Sequence, residues 1–91
     1  MITPIERTNA IEERLKKALQ PSFLNVRDDS RHHVGHPGAA GGGHYSVTIV
    51  SAAFEGKNLL QRHKLVYQAL EGWIGKEIHA IQINAKTPAE H

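Results

Sequence analysis

Apolar and polar residues recur with two different periods along the chain, and the changes of period divide it into elements. Ile11, Leu15, Ala18 and Leu19 fall at helical spacing, opposite a face that carries Glu12, Glu13, Lys16 and Lys17. Thr3 can cap this helix, Pro4 suits its first position, Glu6 completes a capping box and Pro21 stops it. From Phe23 to Arg27 the period shortens to two, with Leu24 and Val26 on one face, and Asp28-Asp29-Ser30 closes the strand. Tyr45 to Ser51 is the clearest strand, with Tyr45, Val47 and Ile49 on one side. These two strands should pair as a hairpin around residues 31–44, a stretch rich in histidine and glycine that reads as a flexible loop.

Residues 53–57 read as a turn or short helical turn, and Asn58 can cap a second main helix. Leu59, His63, Val66 and Leu70 share one face of that helix, with Tyr67 and Ile74 beside it. Gly72 and Gly75 bracket Trp73 and weaken the helix end. Ile78 to Ala85 is the last strand, where strict alternation puts His79, Ile81 and Ile83 on one side. Residues 88–91 read as a disordered tail. The order is α-β-β-(short α)-α-β in a single domain over residues 1–91. The economical α+β solution packs the helices on one face of a mixed three-stranded sheet.

Composition narrows the class. A chain of 91 residues buries only about 60–65% of the surface its unfolded form exposes, which leaves little room for an elaborate active site. Its 40% hydrophobic and 22% charged residues are ordinary for a soluble domain. No apolar run approaches the roughly 18 residues of a membrane span, and the N-terminus lacks a charged-then-apolar export pattern. The expected location is cytoplasmic, without membrane contact. The absence of cysteine excludes disulfides, a zinc ribbon and a cluster held by the chain's own thiolates.

Formal charge is +2, with no long Lys/Arg run to concentrate it for nucleic acid. Histidine is the unusual component: there are 7. His32, His33 and His36 could hold zinc, though imidazoles on an unfixed loop make a weak, unselective site. His44 marks the start of a strand, His63 packs within the fold and His91 is terminal. Gly38-Ala39-Ala40-Gly41 matches the backbone-clamping GXXG loop of KH domains, but lies inside a hairpin rather than between helices. Lys57, Arg62 and Lys64 can form a basic patch for phosphate or for an acidic partner. No paired-carboxylate, nucleophile–base or phosphate-cradling signature is present, so an enzyme is not expected.

Val50-Ser51-Ala52-Ala53-Phe54-Glu55-Gly56-Lys57, continued by Leu60-Gln61-Arg62-His63-Lys64-Leu65-Val66-Tyr67, resembles the signature of the BolA-like proteins. Ile78-His79-Ala80-Ile81, Lys86-Thr87-Pro88 and the histidine-rich loop followed by His44 and an aromatic residue fit as well. The similarity covers nearly the whole chain. It implies a fold similar to the class II KH domain and a partnership with a monothiol, CGFS-type glutaredoxin around a shared [2Fe-2S] cluster. The partner side would supply a cysteine and a glutathione thiolate. The BolA-like side would supply His79 and a loop histidine, His33 first and His36 next, with no cofactor on the isolated chain, a monomer or weak homodimer. Imidazole in place of thiolate should raise the cluster's reduction potential and make its binding pH-sensitive. The resemblance equally implies a second role, a DNA-binding transcriptional regulator of stress response and cell morphology, for which Lys57, Arg62 and Lys64 are the candidate contacts.

Overall fold

The computed structural model describes residues 3–29 and 43–91. Helix α1 (Pro4–Leu19) begins where the Thr3 hydroxyl accepts the Glu6 backbone N–H at 3.1 Å. The same hydroxyl donates to the Glu6 carboxylate at 3.0 Å, so Glu6 closes the cap through its side chain. Gln20 ends the helix in the left-handed region (φ 46°), its N–H reaching the Lys16 carbonyl at 3.0 Å. Ile11, Leu15 and Leu19 are buried as their spacing predicts, whereas Ala18 is exposed.

Strand β1 (Phe23–Asp28) pairs antiparallel with β2 (Gly43–Val50), matching Leu24 to Ile49 and Val26 to Val47. Of the stretch expected as a loop, Gly43 and His44 already belong to β2, and residues 31–42 lie outside the described residues. The chain leaves β2 through a 3-10 turn, Ala52–Phe54, that drives Phe54 fully into the core. Ser51 ties this corner to the end of α1 by donating to the Leu19 carbonyl at 2.6 Å. Helix α2 (Leu59–Ala69) follows, with a full capping box between Asn58 and Gln61. It carries the chain over to β3 (Ile78–Lys86), which runs parallel to β2. The sheet is therefore mixed, in the order β1-β2-β3, as expected.

Both helices contribute to one core: Ile11, Leu15 and Leu19 from α1, Val66 and Leu70 from α2 and the turn after it, and Tyr45, Val47, Ile49 and Ile78 from the sheet. Each fully buried aliphatic side chain contributes roughly 1.5–3 kcal/mol. One α2 expectation fails. Leu59 is 67% exposed and Leu60 64%, so the first turn makes no core contact and the apolar stripe starts at Leu65 and Val66.

The alternation expected for β3 also fails, for a reason that positions the site. Ile78 is fully buried, and Ile81 and Ile83 pack against the core. A spacing of three cannot satisfy a period of two. The strand resolves the conflict with a bulge: the register steps from Gly43↔Ile78 to His44↔Ala80, so His79 becomes an extra residue on β3. His79 is exposed rather than sided with Ile81 and Ile83. The face of the sheet away from the helices carries Asn25, Thr48 and Asn84 in one row and Arg27, Ser46 and Gln82 in the next.

Residues 88–91, expected as a disordered tail, carry a 3-10 turn, Pro88–Glu90. Glu90 is tied to Arg62 at 2.7 Å, and the His91 ring stacks on Phe23 with centroids 5.1 Å apart.

Candidate metal-binding histidine pair

Three strand features bring two imidazoles together. Tyr45, Val47 and Ile49 point into the core, so His44 must point to the outer face of β2. The bulge turns His79 out of β3. Parallel pairing then sets the two strands side by side. The His44 and His79 rings lie with centroids 5.0 Å apart and planes inclined by 42°. Next to them, a shallow cavity of about 230 Å³ is lined by Asp29, His44, Ser46 and Gln82. Asp29 accepts from Arg27 Nε at 2.7 Å and from the Ser46 hydroxyl.

Of the residues the sequence singles out as metal ligands, His79 is thus placed in an exposed, donor-paired position. His33 and His36 lie outside the described residues, as do His32 and the Gly38–Gly41 stretch. His44 was read only as a strand start, and the structure adds that its ring lies beside that of His79. Its outward orientation was legible from Tyr45, Val47 and Ile49. Its proximity to His79 depends on strand order and on the bulge, neither of which a periodic pattern gives. His63 is half-buried on α2.

The donor set has a definite chemistry. Among the described residues no group of three or more His, Cys, Asp or Glu side chains converges for a metal. Two imidazoles alone do not complete a tetrahedral site. They match the histidine half of a Rieske-type arrangement, in which two imidazoles replace two thiolates on one iron. Two imidazoles on a chain without cysteine could hold a metal group only with further donors from outside the described residues.

The basic trio is not brought together as a phosphate patch. The Arg62 side chain is only 11% exposed. Its Nε donates to the Lys57 carbonyl at 2.8 Å, and its Nη1 donates to the Ala85 carbonyl at 3.1 Å and to Glu90 at 2.7 Å. That guanidinium, with the Thr87 N–H, holds the Glu90 carboxyl down at about 2. Arg62 is committed to joining α2, β3 and the C-terminal turn, which leaves Lys57 and Lys64 as the exposed cations of the trio.

Comparison with known proteins decides the family. A family model described as BolA-like protein matches residues 15–90. The chain belongs to the BolA-like family. It is 43% identical to human BolA-like protein 1 over 89 residues, covering 98% of this chain and 62% of the relative. It is 43% identical to SufE-like protein 1, chloroplastic/mitochondrial, of Arabidopsis thaliana, covering 88% of this chain but 23% of that protein. It is 38% identical to the DNA-binding transcriptional regulator BolA of Escherichia coli strain K12, covering 88% of this chain and 74% of the relative. The solved BolA domain of SufE1 from Arabidopsis thaliana superposes with a TM-score of 0.82 at 44% identity, covering 93% of this chain and 95% of that domain. BolA1 from Arabidopsis thaliana gives 0.80 at 40% identity, over 92% and 94% of the two chains. The α+β fold expected from the element order is the fold of these BolA domains. This BolA-like chain spans 23%, 55% and 62% of three of the curated relatives it matches, two of which are named as organellar proteins. No helix among its described residues is long and apolar enough to cross a membrane.

Proposed function

We propose that this protein is an accessory factor that docks on a monothiol glutaredoxin and co-ligates a shared [2Fe-2S] cluster for iron–sulfur assembly, transfer or iron sensing. The observation that carries the reading is the His44–His79 pair, a half-buried and an exposed imidazole with centroids 5.0 Å apart on a chain with no cysteine. Such a chain offers nitrogen donors and must take its thiolates from a partner. His79 is the first ligand. The second is His44 or one of the loop histidines His33 and His36. Neutral imidazole on one iron supports a higher potential than thiolate, and it releases metal when protonated. The isolated chain holds no cluster. A thiol-free half-site that depends on a thiol-bearing partner suits the reducing cytoplasm.

The test is anaerobic reconstitution of the cluster on a mixture with a monothiol glutaredoxin, read by visible absorption and circular dichroism. His79→Ala should abolish the mixed-complex spectrum and leave the glutaredoxin's own spectrum. His44→Ala, His33→Ala and His36→Ala, made singly, identify the second donor as the one whose loss reproduces that result. A mixed-complex spectrum unchanged in His79→Ala would end the proposal.

A second reading, DNA-binding regulation, is favoured by the name of the Escherichia coli relative. With Arg62 committed to Glu90, it rests on Lys57 and Lys64. Fluorescence-anisotropy titration of duplex DNA at two salt concentrations separates the readings. Sequence-dependent binding that weakens in Lys57→Ala/Lys64→Ala supports the regulator.

A further inference from the structure

The two histidines are tied together from beneath, by the residues that precede them. The Gly43 N–H donates to the Glu77 carbonyl at 3.0 Å, linking the residue before His44 to the residue two before His79. The Glu77 carboxylate accepts from Arg7 Nε, also at 3.0 Å. Arg7 belongs to α1, and its side chain is only 18% exposed. The Arg7–Glu77 ion pair thus ties α1 to the residue before β3, and the carbonyl of that same residue meets β2 beside the bulge.

Tyr45 completes the arrangement. It is 2% exposed, and its hydroxyl is buried beside Arg7 and Thr8. Its ring lies against Gly43. A Cβ at position 43 would sit 2.5 Å from Tyr45 Cε2 and 2.7 Å from its hydroxyl oxygen. Any side chain there would push the ring or the strand aside. The glycine is thus favoured by a close approach, at the same residue whose N–H meets the Glu77 carbonyl.

Bulges bend a strand and re-aim a side chain, but the extra residue has no ladder partner to fix it. Here the extra residue is His79. We propose that Arg7, Gly43 and the Tyr45 ring form a positioning unit that sets the separation of His44 and His79. The inference rests on reading that pair as metal ligands, and it assigns to α1 a role in ligand geometry. None of the three residues touches the metal. Their contribution is to hold the bulge in the one register that leaves both imidazoles on the same side of the sheet.

Nuclear magnetic resonance on the full, metal-free chain tests this, because it resolves each histidine separately. The wild type should show a ring-to-ring cross-peak between His44 and His79, and Zn²⁺ alone should shift both signals together. Arg7→Met, which keeps the aliphatic stem, should lose the cross-peak and weaken Zn²⁺ binding at these two signals by about tenfold or more. The responses of the other histidines to Zn²⁺ should stay as in the wild type. Gly43→Ala should act in the same direction, and Tyr45→Phe, which keeps the ring, should retain the pair. If Arg7→Met does not fold, Glu77→Gln breaks the same ion pair at constant volume and carries the same expectation. A cross-peak and a Zn²⁺ midpoint within about twofold of wild type in these variants, with only stability lowered, would overturn the inference. Failure of the glutaredoxin mixture to form a cluster, with the Zn²⁺ result intact, would instead count against the proposed function alone.

Discussion

The two ends of β3 treat their polar side chains in opposite ways. At the Lys86 end, Arg62 is enclosed by the Lys57 and Ala85 carbonyls and by Glu90, and its charge is spent on internal partners. At the Ile78 end, the polar partners lie in the layer below, where Arg7, Glu77 and the Gly43 amide connect, and His79 is presented outward. The first arrangement fastens the fold and leaves little to offer a ligand. The second fastens the backbone and leaves the His79 side chain exposed. A cation in a family signature is therefore no guide to function until its partners are known, and a histidine at a strand start can matter through what its neighbours do.

Substitutions at the two ends should separate these roles. The largest effect is expected at Ile78, fully buried beneath the bulge. Ile78→Ala should cost about 2–5 kcal/mol in urea unfolding, because it leaves a cavity in the core shared by the helices and the sheet. Next comes Arg62→Met. It should cost about 1–3 kcal/mol by removing the donors of the Lys57 and Ala85 carbonyls, yet leave the mixed-complex spectrum of the glutaredoxin mixture intact. If the spectrum is lost at a temperature where the variant is folded, the division between the two ends is wrong. The smallest effect concerns pH. Glu90 has a carboxyl pKa lowered from 4.5 to about 2, so its pairing stabilises the fold above pH 4.5 and is lost as pH falls from 4.5 toward 2. Thermal unfolding followed across that window should show a shallower decline for Glu90→Gln than for the wild type. The carboxylate is solvent-exposed, so added salt should reduce the difference.

Much of the architecture was legible in the chain because it depends on local chemistry. Thr3-Pro4 and Asn58 mark the starts of both helices, and the alternation of Tyr45, Val47 and Ile49 fixes the face of β2. What escaped was non-local. Leu59 has the spacing of a core residue and is exposed, since periodicity records a face but not where the partner layer ends. The siding of His79 was misread because alternation was carried through the bulge, although the three-residue step from Ile78 to Ile81 was the signal that alternation had to break. Arg62 looked like a surface cation because Glu90, its partner, sits in a turn that the sequence marks only as a terminus. His44 was discounted because pairing between strands separated by a helix cannot be seen in a linear pattern.

That separation has a consequence in time. His44 lies at the start of β2 and His79 at the start of β3, with α2 between them, and the pair exists only after the parallel pairing of β2 and β3 has closed. Non-local parallel contacts form late, since loop closure must precede them. A nascent chain that has emerged only as far as α2 carries His44 without His79. Completion of the last strand is the step that brings the two rings together.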